Sequence, residues 1–123
     1  MFEPCDCGSG ESYIGCCGRL HSGSPARNAE ELMRSRYCAF SRGNVPYLMK
    51  SWAVETRPPT LDLDADQVWT GLKIDRHEMT GPDTAIVRFT ANWRTGNRKG
   101  RLSETSRFRW EGQGWVYVDG DVD

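Results

Sequence analysis

Four of the chain's five cysteines, Cys5, Cys7, Cys16 and Cys17, fall within thirteen residues, and no other feature of the 123-residue sequence constrains its fold as tightly. Pairing Cys5 with Cys7, or Cys16 with Cys17, would close a strained small ring, because ordinary disulfides want Cα atoms about 5.5 Å apart. Bridging 5 to 16 and 7 to 17 would staple only a short loop. Clustered thiols in a reducing compartment favour a metal instead. Four thiolates at about 2.3 Å in a tetrahedron form a closed structural zinc site. Gly8, Gly10, Gly15 and Gly18 fit that job, since glycines accept positive φ and let backbone N–H groups turn toward the sulfurs. One Zn²⁺ with four thiolates carries −2, which takes the formal charge from −1 to about −3. Arg19 stands close enough in sequence to spread that charge. Two alternatives stand beside zinc: a thiol redox relay, and His21 as fourth ligand in place of one thiolate. Cys38 stands alone and reads as a small buried apolar residue within a helix.

The remaining residues set the fold class. Leu, Ile, Val and Phe total only 21, but five Trp and four Tyr supply bulky area, and the nearly balanced charge argues against disorder. No run approaches 18 apolar residues. Residues 1–6 show neither a basic stretch nor an apolar one, so the expected location is cytoplasmic, without a membrane. Ser22 to Arg27 is linker-like and divides the chain into a metal-binding segment, 1–22, and a second unit, 28–123.

In that unit Asn28 and Glu31 have capping-box spacing, Ala29, Leu32, Met33, Tyr37 and Phe40 form one stripe, and Gly43 suits a helix end. These signals predict a helix over 29–42. A second, through 45–52, has Asn44 as its cap. The period then becomes two. Leu72, Ile74 and Arg76 alternate, as do Ala85, Val87, Phe89, Ala91 and Trp93. Leu102, Glu104, Ser106, Phe108 and Trp110 share a face, and Trp115–Val118 follow. Residues 95–100 read as a basic hairpin loop. Helices followed by antiparallel strands define an α+β fold.

Cys5-Asp6-Cys7-Gly8-Ser9-Gly10, then Tyr13 and Cys16-Cys17-Gly18, resembles the SEC-C zinc motif found at the C-terminus of the SecA motor. Here Cys17 replaces the histidine of the SecA type, and Glu11, Ser12 and Ile14 replace the lysines around its tyrosine. Leu32–Tyr37, Trp52, Glu104–Phe108 and Trp115–Gly120 resemble the YchJ family of bacterial SEC-C proteins. That resemblance covers nearly the whole chain. It implies a zinc knuckle followed by a cone-shaped domain like nuclear transport factor 2, with helices packed on a curved antiparallel sheet, as in SnoaL-like cyclases. It implies no reaction.

Three functions follow as expectations. The first is a zinc knuckle that docks a protein through Glu11, Tyr13, Arg19 and His21, joined to a cone that binds a protein or a small ligand. The second is a dehydratase- or isomerase-like enzyme with Glu104, and His77 as the other candidate, in a pocket lined by Trp52, Trp69 and Trp93. In the structural alternative Glu104 instead forms an ion pair with Arg34 or Arg36 of the first helix. The third is nucleic-acid binding through Arg94, Arg98, Lys99, Arg101, Arg107 and Arg109, a reading that the balanced net charge disfavours. No Ser-His-Asp order, phosphate-binding glycine loop or HExxH motif is present.

Overall fold

A computed structural model describes residues 2–123 and places the helices before the strands, as the change of period predicts. Helix α1 (Cys17–His21) closes the cysteine segment, and α2 (Ala29–Arg42) and α3 (Val45–Lys50) follow it. Strands β1 (Gln67–Met79), β2 (Thr84–Thr95), β3 (Arg98–Trp110) and β4 (Trp115–Val122) form one antiparallel sheet in that order. The fold is α+β. Among the described residues no helix is long and apolar enough to cross a membrane.

Local chemistry sets the helix limits. The extended Asn28 accepts the Glu31 N–H at 2.8 Å, and Gly43 closes α2 at φ 69°. The capping box forms only by half: the Glu31 carboxylate reaches past Asn28 to the backbone N–H (3.1 Å) and guanidinium of Arg27. Asn44 caps α3 by accepting from the Tyr47 N–H. This helix ends two residues earlier than predicted because the next residues pair with β4. Ser51 accepts from the Tyr117 N–H at 2.9 Å, and the Ala53 N–H donates to the Tyr117 carbonyl at 2.8 Å.

Residues directly opposed in antiparallel strands share a face, so the register fixes which side chains meet the helices. Ala85, Val87, Phe89 and Ala91 of β2 are all buried, and β3 opposes them with Phe108, Ser106, Glu104 and Leu102, as the alternation predicts. Strand β1 departs from prediction. Bulges at Trp69/Gly71 and Ile74/Arg76 reset its phase, so Arg76 leaves the face of Ile74, and His77 and Met79 oppose Val87 and Ala85. The loop predicted over 95–100 shrinks to Gly96-Asn97, with Gly96 at φ 60°, and Arg98, Lys99 and Gly100 belong to β3. Gly100 lies under the Trp93 ring, which a Cβ there would approach to 2.1 Å.

Helix α2 packs across β1, β2 and β4. One apolar core runs from Cys7, Cys17 and Leu20, through Leu32, Tyr37 and Cys38 of α2, to Val87 and Phe108 of the sheet. The core of residues 28–123 therefore does not lie wholly beyond the linker-like stretch. Its wall on one side is the cysteine segment itself.

Candidate metal centre and adjoining cavity

Cys5, Cys7, Cys16 and Cys17 bring their sulfurs within 4.8 Å of one another, three of them buried and Cys16 partly exposed. A tetrahedron with 2.3 Å arms has edges of about 3.8 Å. The Cys7 and Cys16 sulfurs, 3.7 Å apart, already stand at that spacing. No disulfide joins any of the described cysteines. The donor set and its spacing fit a tetrahedral thiophilic metal ion.

The electrostatics point the same way. The neighbouring Cys17 and Cys38 thiols hold Cys7 well below the usual thiol range. The neighbouring Cys38 and Cys7 thiols, together with burial, push Cys17 far up, and burial raises Cys16. So many crowded thiols cannot all ionise unaided, and a divalent cation is what would let them.

Two of the four glycines in and after the cysteine cluster behave as expected and two do not. Gly8 and Gly10 take positive φ, at 78° and 88°. Gly15 and Gly18 do not. Gly18 is needed for space, since a Cβ there would stand 2.6 Å from the Tyr13 carbonyl oxygen. That carbonyl accepts N–H bonds from Cys16 (3.0 Å) and Gly18 (2.7 Å), and so positions the second cysteine pair.

The segment is bolted to α2. Nε2 of His21 donates to the Ser35 carbonyl at 2.8 Å, and its Nδ1 lies 2.6 Å from the Tyr13 hydroxyl. With both ring nitrogens engaged, His21 is not presented as a ligand in this arrangement. Arg42 stacks 3.5 Å from the Tyr13 ring centre, and Arg34 donates to the Cys7 carbonyl at 2.9 Å. Arg19 reaches the Gly15 carbonyl and Glu31. Of the four expected docking residues only Glu11 is exposed; Tyr13, Arg19 and His21 hold the segment in place. Cys38 is fully buried in α2, as expected, but its sulfur lies 3.4 Å from that of Cys5. Sequence reasoning missed this fifth sulfur, since only the docking of α2 brings position 38 to the cluster.

On the other side of α2 a cavity of about 170 Å³ lies between helix and sheet, with Trp52, Trp69, Tyr37 and Tyr117 among its walls. Glu104 faces it, as alternation predicts, but the expected ion pair with Arg34 or Arg36 is absent. Glu104 accepts from Ser106 Oγ at 2.5 Å and Tyr117 Oη at 3.3 Å. Arg34 is taken by Glu30 and Cys7. Arg36, only 3% exposed, gives its Nη1 to the Leu48 carbonyl (2.9 Å) and Ser51 Oγ (2.7 Å), where the end of α3 leaves acceptors unpaired. Its guanidinium stacks 4.5 Å from the Tyr117 ring centre and 5.0 Å from that of Trp52. Burial lowers its pKa to about 10, which still leaves it charged at neutral pH.

His77 does not join Glu104. The β1 bulge turns it to the start of α2, with Nδ1 3.8 Å from Glu30 and away from the cavity walls. Trp93 is also outside the cavity. The basic residues do not form one surface. Arg107 pairs with Asp119 and Asp121, and Arg109 with Glu55 and Glu111. Arg98 opposes Thr95 on the helix-facing side, whereas Arg94 opposes Lys99 on the other.

A four-cysteine knuckle mounted on a helix that covers a four-stranded antiparallel sheet defines a class of small SEC-C proteins. Among solved structures, the solution structure of a SEC-C motif-containing protein from Rhodopseudomonas palustris has a TM-score of 0.84 at 28% identity, covering 97% of this chain and 98% of that one. The crystal structure of a SEC-C motif-containing protein from Psychrobacter arcticus gives 0.81 at 25% identity, covering 95% and 81%. Residues 28–120 match the family described as "YchJ, middle NTF2-like domain". A UPF0225 protein of Streptomyces coelicolor is 48% identical over 121 residues, covering 96% of this chain and 94% of the relative. One from Xanthomonas campestris is 46% identical over 120 residues, covering 95% and 93%. The chain belongs to the YchJ-like UPF0225 family.

Proposed function

We propose that this is a cytoplasmic, zinc-stabilised ligand-binding protein. One Zn²⁺ is held by Cys5, Cys7, Cys16 and Cys17, and the sheet with α2 forms a cone that receives a small molecule. With four thiolates zinc has no open coordination position, so the ion acts as a structural staple and not as a Lewis acid on substrate. The observation that carries the reading is the placement of α2. One face of this helix holds the cysteine segment through Arg34, Ser35 and Arg42, and the other supplies Arg36, Tyr37 and Phe40 to the cavity. Metal binding therefore fixes the roof of the ligand site. In an enzyme of this shape Glu104 would be the base, but no histidine reaches it, and binding accounts for the site with fewer assumptions.

Native mass spectrometry of the full chain tests the metal. The expected mass is the chain plus one zinc, with all thiols reduced. A metal-free mass with two disulfides would refute the staple. Stripping zinc with a chelator should also quench binding of any cavity ligand, because α2 loses its outer anchor. A cavity that keeps its affinity after stripping would refute the coupling.

A further inference from the structure

The cavity's own chemistry selects its occupant, provided that it binds small molecules as proposed above. Its volume, about 170 Å³, compares with the roughly 150 Å³ apolar cavity known to accept one benzene. That leaves room for a single six-membered ring with one or two substituent groups. Aromatic side chains on both helix and sheet supply stacking surfaces for such a ring. Leu102, Glu104, Phe40 and Trp69 are each only half-buried, so the cavity opens to solvent along that side.

Two charges face this space without pairing. Arg36 uses only Nη1, and its other guanidinium nitrogens have no hydrogen-bond partner among the described residues. Oε1 of Glu104 is similarly unused, since Ser106 and Tyr117 both bind Oε2. Both groups meet Tyr117, one stacked on its ring and the other at its hydroxyl. Together they sum to zero. A charged ligand would leave one excess charge in a largely apolar site, which is costly. An apolar ligand would leave donors and acceptor unmet.

We infer that the cavity binds an uncharged monocyclic compound that carries a hydrogen-bond acceptor next to a donor, such as a ring carboxamide or lactam. Its acceptor meets Arg36, its donor meets Glu104 Oε1, and the ring lies among Trp52, Trp69 and Tyr37.

Four probes of matched size separate the possibilities: benzamide, toluene, benzoate and benzylammonium, titrated into the zinc-loaded full chain while the indole N–H resonances of Trp52 and Trp69 are followed. Benzamide should bind at least about tenfold more tightly than each of the other three, because a site built to hydrogen-bond rejects analogues that lack the groups. In Glu104→Gln the cavity becomes net positive, so benzoate should gain and benzylammonium should lose affinity, each by at least about threefold. Ala91→Met, which fills the cavity from β2, should abolish binding of all four. Toluene equal to benzamide would overturn the ligand class while leaving a ligand-binding cavity. Benzoate or benzylammonium as the tightest probe would overturn the charge balance. No binding of any probe, up to about 20 mM or its limit of solubility, would overturn both this inference and the ligand-binding reading beneath it.

Discussion

Replacing Gly18 with alanine should weaken zinc binding although all four thiols remain in place. The added Cβ would stand 2.6 Å from the Tyr13 carbonyl oxygen and 3.1 Å from both its carbonyl carbon and a ring carbon. Ordinary carbon–oxygen contact begins near 3.4 Å, so the backbone must open by several tenths of an ångström. Overpacking of this kind costs about 1–3 kcal/mol. The Cys16 and Gly18 N–H bonds to that carbonyl would lengthen together, a further loss of about 1 kcal/mol. Alanine is the better helix former, which returns up to about 1 kcal/mol within α1. The clash wins, and the net penalty is about 1–3 kcal/mol. If it falls on the metal-bound state, zinc affinity drops roughly 10- to 100-fold. Competition with a chromophoric chelator measures this directly. Gly15→Ala is the milder control: its Cβ would stand 3.1 Å from the Ser12 hydroxyl and 3.8 Å from the Ser12 carbonyl oxygen, and the hydroxyl can shift at the cost of its bond from the residue-15 N–H. An unchanged zinc affinity in Gly18→Ala, within about threefold of the parent, would refute the claim that the Tyr13 carbonyl positions the second cysteine pair.

Further outcomes follow from other contacts. Cys38→Ala should still bind one zinc per chain, whereas Cys5→Ala should lose it; metal loss in Cys38→Ala would make the fifth sulfur a ligand. Gly100→Ala should push the Trp93 ring off the strand, shifting its fluorescence to the red and lowering the melting temperature by a few degrees, for a cost of about 1–2 kcal/mol. Glu104→Gln should change stability by less than about 1 kcal/mol, since the amide oxygen can still accept from Ser106 and Tyr117, and a much larger loss would mean that Glu104 is anchored by a cation. Burial raises Tyr37, Tyr47 and Tyr117 to about 12 from an ordinary value of 10. The unfolded chain then releases protons first, so stability should hold below pH 10 and fall between about pH 10 and 12. Absorbance at 295 nm should show tyrosinate appearing together with unfolding; a titration centred at 10 in the folded protein would refute the burial argument.

What could be read from the sequence follows the range of the interactions that decide it. Helix α2 was legible to the residue because its signals are local: Asn28 as cap, an apolar stripe, Gly43 at the end. The faces of β2 and β3 were legible because simple alternation places Glu104 beside Leu102 and Phe108 on the buried side. The cysteine cluster was legible because four sulfurs so close in sequence have few arrangements open to them. Alternation fails where the backbone breaks its own period. The bulge after Ile74 turned His77 toward α2 and Arg76 away from it, and no residue type in that segment marks the extra position. Partner choice was hidden for a different reason. A buried cation seeks the acceptors within its reach, and the sequence does not show that α3 ends with the Leu48 carbonyl and Ser51 hydroxyl beside Arg36. That contest, won by a helix end over a carboxylate, leaves Glu104 and Arg36 without each other in the wall of an aromatic cavity. The failed ion-pair expectation and the candidate ligand site are thus one fact. Had Arg36 met Glu104, the cavity would have held a satisfied salt bridge and nothing for a ligand to bind.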